Sequence, residues 1–315
     1  MNHVDDRTKA AVNWLLHSDE PAIRLMTRRD LLGEQSATDP AEILGGPKVA
    51  ALLAGQQPDG GFGVGYYRKW TGAHWRLVSL AELEIPALEP RAVAAAGTVL
   101  EALTPGRRRP TMRKGLPLTH ASVWGNALGV SCRLGLAADR RVGDIAGAII
   151  GWQWPDGGWN CDARATGYRS SFHESLATMW GLHEYAQATG EASAAAAAAR
   201  TAELFLEHRL FRSLTTGEVI SSKWLGPRYP PYWHYDILQA LLVLSRMGKA
   251  TDPRASDAVD ELERQRLPDG RWRPSGSWWT GVGARTAAEV VNWGRTGPSE
   301  MITLNALRVL RGAGR

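Results

Sequence analysis

The segment Gln153-Trp154-Pro155-Asp156-Gly157-Gly158-Trp159 decides the fold, because its pattern occurs three times along the chain. Residues 56–62 repeat it as Q-x-x-D-G-x-aromatic, and residues 265–272 repeat it with one inserted residue. A proline presets φ, and the aspartate and glycine that follow complete a tight turn. The prolines of successive copies are 97 and 113 residues apart, which leaves room for about two helical hairpins in each interval. The repeat therefore predicts a helical array in which each turn follows a helix.

Two sets of helical segments alternate between these turns. The amphipathic set covers about 6–18, 45–57, 89–103, 140–152, 193–209 and 254–266. The more apolar set covers about 20–33, 72–85, 119–135, 171–187, 231–247 and 298–312. This alternation predicts six outer and six inner helices, and the simplest closure is an all-α, α6/α6 toroid that forms a single domain over residues 1–315. An open solenoid of helix pairs is the alternative.

Composition limits the classes of protein to consider. The chain has 315 residues, 44% of them hydrophobic and 22% charged, as expected of a globular protein without a membrane span of about 20 apolar residues. The N-terminus is polar, unlike a secretory signal. Two cysteines do not form a disulfide framework, so we expect a reducing, cytoplasmic setting. The net charge of +5 favours anionic partners, but no nucleic-acid-binding signature accompanies it, so we expect a small-molecule partner.

The repeated segments resemble the glutamine–tryptophan repeat of squalene and hopene cyclases. Gly60-Gly61-Phe62-Gly63, followed by His74 at the start of an inner helix, resembles the repeat of protein prenyltransferase β-subunits. The resemblance covers nearly the whole chain and implies the terpenoid cyclase and prenyltransferase superfamily, with the toroid as its fold. It also implies that four repeat residues are structural braces, namely Gln56, Gln153, Trp159 and Trp272.

The chain departs from this superfamily in its acidic motifs. It has neither the D-x-D-D motif with which class II cyclases protonate an alkene or epoxide nor a D-D-x-x-D motif for magnesium. Asp5-Asp6 is a poor substitute. Its length also matches one toroid, whereas squalene–hopene cyclases have two. The sequence therefore does not support ordinary class I or class II chemistry.

Four histidines stand at the predicted starts of inner helices. In an alternating barrel all inner helices begin at one end, so the sequence predicts catalytic candidates at one mouth: His74, His120, His173 and His234. Two carboxylates adjoin them, Glu174 and Asp236, which are candidates for general acid–base catalysis. Residues one or two apart on a helix do not face each other, so such pairs have to form across helices. The alternative is that the histidines are structural.

A zinc site is one expectation at this mouth. Prenyltransferase β-subunits bind zinc through an aspartate-x-cysteine pair and a later histidine, and the settings of His173 and His234 resemble that histidine. The resemblance makes Cys161, His173 and His234 the candidate ligands, with Asp162 or Asp236 as the fourth. The order Cys161-Asp162 departs from the family pattern, and the absence of any cofactor is the other expectation.

Basic and aromatic residues accumulate in the loops before the inner helices. The basic ones are Arg68, Lys69, Arg113, Lys114, Arg164, Arg169, Lys223, Arg228, Arg285 and Arg295. The principal aromatic candidates for substrate binding are Trp70, Trp75, Trp124, Tyr168, Trp224 and Trp233. A positive rim attracts anions, and aromatic faces line apolar pockets and stabilise cations. Together they predict an amphiphilic substrate with an anionic head and a hydrocarbon tail, although a solvated rim without function is the alternative.

Three functions remain open at this point. The first is a terpenoid cyclase-like or prenyltransferase-like enzyme, in which a histidine or carboxylate initiates cyclisation or zinc activates a nucleophile for transfer. The second is a zinc-dependent hydrolase, lyase or cyclase of a specialised metabolite on the same fold. The third is a non-catalytic toroid that binds a lipid or peptide. The sequence also leaves a second subunit open.

Overall fold

The positions of the helices follow the repeat closely. The computed structural model describes residues 5–35, 39–104, 110–164, 167–276, 289–294 and 297–315, and Arg285 and Arg295 lie outside them. The first elements are α1 Asp6–Leu16, α2 Pro21–Thr27 with a π-helical turn Arg28–Leu32, α3 Pro40–Leu44, α4 Pro47–Leu53, α5 Ala73–Glu82, α6 Pro90–Ala102 and strands β1 Thr111–Arg113 and β2 Leu116–Leu118. The others are α7 Ala121–Arg133, α8 Arg140–Gly151, α9 Phe172–Thr189, α10 Ala192–Glu207, α11 Ile237–Arg246, α12 Ser256–Arg264 and α13 Glu300–Gly312, with short 3-10 turns at Ser222–Trp224 and Pro253–Ala255.

The all-α class is confirmed, because every predicted helical segment contains a helix. Helix α3 and the antiparallel hairpin β1–β2, in which Thr111 lies opposite Leu118, were not predicted. The segment predicted over 231–247 becomes helical only at Ile237, because Tyr232 has a positive φ of 44° and Asp236 caps the helix by accepting from the Gln239 amide. None of the helices over the described residues has both the length and the apolar character needed to cross a membrane.

The chain divides into two compact units. The first comprises residues 1–52, 207–231 and 236–315, and the second comprises residues 53–206 and 232–235. In the first unit α13 contacts α1, α2, α11 and α12, so it is the central helix of that core. In the second unit α7 contacts α5, α6, α8 and α9. The closed α6/α6 toroid over residues 1–315 stays a prediction.

The contact between α7 and α9 is the most extensive in the second unit. A Cβ atom added to Gly181 would lie 2.2 Å from the carbonyl oxygen of Gly125, so the two backbones touch without intervening side chains. Ser122 at the start of α7 is bonded to Glu174 at the start of α9, and Arg133 at the end of α7 is bonded to Glu184. The two helices therefore run parallel, and their N-termini lie side by side.

The repeat residues are structural braces, as the resemblance implied. Gln153 Nε2 donates to the carbonyl oxygens of Gly157 and Ala197, both at 2.9 Å, and thereby ties the turn after α8 to α10. Trp159 and Trp272 donate to the carbonyls of Ile149 and Leu262 in the preceding helices, at 2.9 and 2.8 Å. Gln56 Nε2 likewise donates to the carbonyls of Gly60 and Arg91, at 3.0 and 2.7 Å.

Replacing Gln153 with alanine is expected to lower the free energy of unfolding by about 1–3 kcal/mol, because the substitution removes the amide that joins the Gly157 and Ala197 carbonyls and leaves only the Thr201 hydroxyl to bridge them. The matched control is Gln57→Ala, since Gln57 is exposed and its amide donates to the carbonyl of Gly55, two residues before it. Urea unfolding of both variants measures the difference. Equal losses in the two variants would contradict a bracing role.

Candidate metal centre

Three metal-ligating side chains meet in the second unit. The ligand atoms of His120, Cys161 and Glu174 all lie within 4.8 Å of one another, and this is the one such group of three or more among the described residues. His120 is the N-cap residue of α7, Glu174 lies in the first turn of α9, and Cys161 lies in the loop before α9. His120 Nδ1 is 3.4 Å from Glu174 Oε1. The arrangement combines nitrogen, sulfur and oxygen donors at the adjacent N-termini of two helices.

Backbone pairing brings the three segments together. Thr119 directly precedes His120, and Asn160 directly precedes Cys161. The Thr119 amide donates to the Asn160 carbonyl at 3.0 Å. The amide of Ser171, the N-cap residue of α9, donates to the Trp159 carbonyl at 2.7 Å. The brace residue Trp159 therefore holds the chain so that it passes between the starts of α7 and α9.

Glu174 is both a structural cap and a component of the site. The His120 side chain does not cap α7, and Glu174 Oε2 instead accepts from the Ser122 amide at 2.9 Å. The Glu174 side chain is only 6% exposed, and burial by itself would raise its pKa. Hydrogen bonds from His120, Ser122 and Cys161 outweigh burial and lower the pKa of Glu174 below its ordinary value, so the carboxylate is ionised at neutral pH.

The imidazole of His120 is the solvent-exposed side chain of the site. Its side chain is 76% exposed, and its bond to Glu174 raises its pKa above the ordinary value, against the opposing effects of desolvation and of Lys69. Burial, together with the nearby Glu174 carboxylate, raises the pKa of the Cys161 thiol to about 12. Without a metal the thiol is therefore protonated, and the arrangement does not resemble an activated cysteine nucleophile.

Lys69 and Tyr67 lie near the three candidate ligands, and two tryptophan rings contact Lys69. The Lys69 ammonium lies 5.5 Å from the ring centre of Trp70 and 5.0 Å from that of Trp233. No ion pair joins Lys69 to a carboxylate anywhere in the described residues. Tyr67, which was not among the principal aromatic candidates, has its pKa raised to about 12 by burial and by the nearby Glu174. In the sequence, the feature that points to Tyr67 is its place in the same aromatic-rich loop as Trp70.

His173 and His234 lie in an aromatic group that includes Trp233, the ring that also contacts Lys69. Their ring centres are 6.1 Å apart, and Trp233 stacks on His234 with a centre-to-centre distance of 3.8 Å. His173 Nδ1 accepts from the Tyr235 amide at 2.8 Å, and burial lowers the pKa of His173. The structure groups Cys161 with His120 and Glu174, and not with the expected ligands His173 and His234.

Asp162 does not belong to the group of three ligands either. Its carboxylate pairs with Arg164, whose Nε lies 2.9 Å from Oδ1. Asp162 is therefore engaged in its own loop, and the group of candidate ligands among the described residues contains Glu174 and not Asp162.

His74 is fully buried, not exposed at a mouth. Its Nε2 has no hydrogen-bond partner among the described residues, and burial lowers its pKa to about 3, so the ring is neutral. The adjoining cavity, which Leu77, Val99 and Ser131 line with others, has a volume of about 10 Å³, enough for about one water molecule. These features suit a residue of the core.

Three tryptophans expected at the substrate are also buried. Trp75 donates to the Tyr67 carbonyl at 3.1 Å and packs against Trp70, with ring centres 5.0 Å apart. Trp124 packs edge-on against Trp152, also at 5.0 Å. Trp70, Trp75 and Trp124 are thus core residues in this structure.

The remaining binding candidates lie in loops. In the second unit Arg68 and Arg164 are exposed, and Arg169 lies over the exposed ring of Tyr168 at 5.5 Å. In the first unit Lys223 is exposed, Trp224 is half-buried, and Arg228 donates to the Lys223 carbonyl at 2.6 Å.

Asp236 is a buried carboxyl group of the first unit. It is fully buried at the N-terminus of α11, where Oδ1 accepts from the Gln239 amide at 2.9 Å and Oδ2 from the Arg228 amide at 3.1 Å. Burial raises its pKa to about 7 despite these two bonds. Asp236 is therefore a helix cap that is partly protonated at neutral pH.

Fold and site together define an all-α protein with a His–Cys–Glu candidate metal centre. No protein-family model matches the chain, and no curated protein matches its sequence. Among solved structures, a protein from Actinoplanes is 18% identical, with a TM-score of 0.44, over 98% of this chain and 90% of that chain.

The type II terpene cyclase MstE from Scytonema is a second structural neighbour. Its apo form is 14% identical, with a TM-score of 0.29, over 85% of this chain and 96% of that chain. A variant of MstE in complex with geranylgeranyl dihydroxybenzoate gives 14% identity and a TM-score of 0.30, over 84% and 95%. Likenesses at these TM-scores assign neither a family nor an activity to the chain.

Proposed function

We propose that the chain is an enzyme with a zinc ion bound by His120, Cys161 and Glu174. Its substrate is an amphiphilic small molecule that has an anionic head. The observation that carries the proposal is the meeting of the three ligand atoms within 4.8 Å. Imidazole nitrogen, thiolate sulfur and carboxylate oxygen are the ligands that zinc takes in proteins, and three protein ligands are typical of a catalytic site with one open position.

The residues fit a zinc ion in their burial as well as in their chemistry. Glu174 is ionised and buried, and the His120 imidazole beside it is charged only when protonated, so a metal ion would compensate the charge of the carboxylate where His120 is neutral. His120 faces solvent, which leaves the site accessible to a substrate. Bound zinc would supply a Lewis acid and activate a nucleophile at neutral pH. Because Cys161 and His120 release protons on binding a metal, zinc affinity is expected to increase with pH.

The surroundings support an anionic head group and an apolar tail. Lys69 carries a positive charge close enough to His120 to lower its pKa, and the rings of Trp70 and Trp233 hold the ammonium in place. Lys69 would pair with the head of the substrate, and the faces of Tyr67 and Trp233 would contact the tail. A terpenoid or another specialised metabolite has this form. The proposal also takes a reducing, cytoplasmic setting, because an oxidised Cys161 is not a metal ligand.

Zinc-dependent transfer or hydrolysis is favoured over proton-driven cyclisation in the second unit. Cyclisation needs a protonated acid beside the aromatic faces, but the pKa of Glu174 is lowered, so it has no proton to give at neutral pH. Cyclisation is the second candidate function because Asp236, with its pKa raised to about 7, does keep a proton. Turnover by metal-free protein that Asp236→Asn abolishes would favour this second candidate.

Zinc analysis of the purified, tag-free protein tests the proposal. We expect about one zinc ion per chain in the wild type and none in Cys161→Ala. The matched control is Cys132→Ala: Cys132 also has a pKa raised to about 12 by burial, but it does not belong to the group of three ligands. Wild-type protein that contains no zinc and takes up none would refute the metal centre.

A further inference from the structure

The three ligand residues come from three separate segments, and one residue contacts each segment. Asn160 precedes Cys161 directly, and its carbonyl oxygen accepts from the Thr119 amide beside His120 at 3.0 Å. Leu118 and Asn160 also form an isolated parallel bridge, which extends the pairing by one residue. The backbone of Asn160 therefore determines the relative position of His120 and Cys161.

The side chain of Asn160 holds the chain on the other side of Cys161. It is buried, Oδ1 accepts from the Asp162 amide at 2.8 Å, and Nδ2 donates to the Arg169 carbonyl at 2.7 Å. Arg169 lies two residues before Ser171, the N-cap residue of the helix that carries Glu174. A single amide thus connects the residue after Cys161 to the segment that leads into α9.

An amide is the side chain that these contacts require. One end of it has to accept from a backbone N–H group and the other end has to donate to a backbone carbonyl, and asparagine provides both at the right length. An aspartate would place a second acceptor against the Arg169 carbonyl, and an alanine would leave both backbone groups without their partner. An unsatisfied buried polar group costs about 1–3 kcal/mol, which the loop can avoid only by moving.

We infer that Asn160 is a positioning residue that aligns the sulfur atom of Cys161 with His120 and Glu174 and so sets the affinity of this site for a metal. The inference rests on the proposed zinc centre and deepens it. Asn160 does not touch the metal; it acts through the backbone on both sides of Cys161. Residues that orient metal ligands in this indirect way typically contribute a factor of about 10–100 to metal affinity.

The test measures metal binding rather than turnover. Zinc affinity is determined by competition with a chelator for the wild type, Asn160→Ala and Asn160→Asp, and the spectrum of the cobalt-substituted proteins reports the thiolate–metal bond directly. We expect zinc to bind at least about tenfold more weakly to both variants, with a weaker thiolate–cobalt charge-transfer band. Asn160→Asp preserves the shape and the bond to Asp162, so it tests the position even where Asn160→Ala folds poorly.

Asn126→Ala is the matched control. Asn126 is also buried in the second unit, and its amide donates to the Tyr232 carbonyl at 2.7 Å and not, among the described residues, to the segments beside Cys161. We expect this variant to lose thermal stability and to keep its zinc affinity. Wild-type affinity and spectrum in both Asn160 variants, or equal losses in Asn126→Ala, would overturn the role of Asn160. Wild-type protein that binds no zinc would instead refute the centre itself.

Discussion

Alanine in place of Gly181 is expected to lower the free energy of unfolding by about 3 kcal/mol or more. The added methyl group would lie 2.2 Å from the Gly125 carbonyl oxygen and 2.9 Å from its carbon, so it would meet backbone on the facing helix and not a side chain that can rotate away. Helices α7 and α9 would have to separate. Urea unfolding followed by circular dichroism measures the loss.

Gly147→Ala is the matched control for this substitution. Gly147 lies on an exposed face of α8, and nothing stands within 4 Å of an added methyl group. Alanine is the better helix former, so we expect this variant to gain up to about 1 kcal/mol. A Gly181→Ala protein as stable as Gly147→Ala would show that the two helices tolerate a wider spacing.

The same substitution links the packing of the helices to the candidate site. Glu174 and His120 stand at the adjacent N-termini of α9 and α7, so a wider spacing lengthens the 3.4 Å contact between them. Glu174 is the main reason that the pKa of His120 is raised, and we expect that pKa to fall towards its ordinary value in Gly181→Ala. NMR titration of the His120 ring measures this change in whatever fraction of the variant remains folded.

The sequence predicted the helices well because their signals are local. Each turn of the repeat carries its own proline, aspartate and glycine, and Gly157 adopts a φ of 94° that other residues rarely take. The glutamine and tryptophan braces act within one turn and the helices next to it. Helix α11 was placed too early because Tyr232 and Asp236, not the apolar pattern, determine where it begins.

The group of candidate ligands could not be predicted in the same way, because it depends on contacts between distant segments. Cys161 was a candidate ligand from its residue type and from the resemblance, but the pairing of Asn160 with Thr119 determines which side chains lie beside it. Ser171 and Glu174 form an S-x-x-E pattern, which normally indicates a carboxylate that caps its own helix. In this protein the carboxylate of Glu174 caps α7 instead, and this contact brings it to His120.

The second large effect expected is a dependence of stability on pH that originates at Asp236. Its pKa is about 7 in the folded protein and 3.8 ordinarily, so between these values the folded state holds a proton that the unfolded state has lost. Stability is then fully present below about pH 4 and is lost as the pH rises through 7. The two pKa values differ by about three, and a difference of one in pKa corresponds to about 1.36 kcal/mol. The loss of stability therefore approaches roughly 4 kcal/mol.

Asp236→Asn isolates this contribution, because asparagine does not titrate and is a good N-cap residue, and its amide oxygen accepts one of the two bonds from the Gln239 and Arg228 amides. The second bond is lost at every pH, so we expect the stability of the variant relative to that of the wild type to increase between pH 4 and pH 8, by up to roughly 4 kcal/mol. The comparison is needed because His74, whose pKa is lowered to about 3, has the opposite effect: its contribution is present above pH 6.5 and is lost as the pH falls. Urea unfolding of both proteins at several pH values gives the difference.

The outcome also bears on the choice between the two candidate functions. A difference in stability that does not change between pH 4 and pH 8 would mean that Asp236 is ionised in the folded protein, because the amides of Arg228 and Gln239 then outweigh burial. An ionised Asp236 has no proton to donate at neutral pH, which would remove the observation that favours cyclisation. A difference that grows with pH would keep a buried proton donor in the first unit, and zinc analysis of the wild type would then decide between the two chemistries.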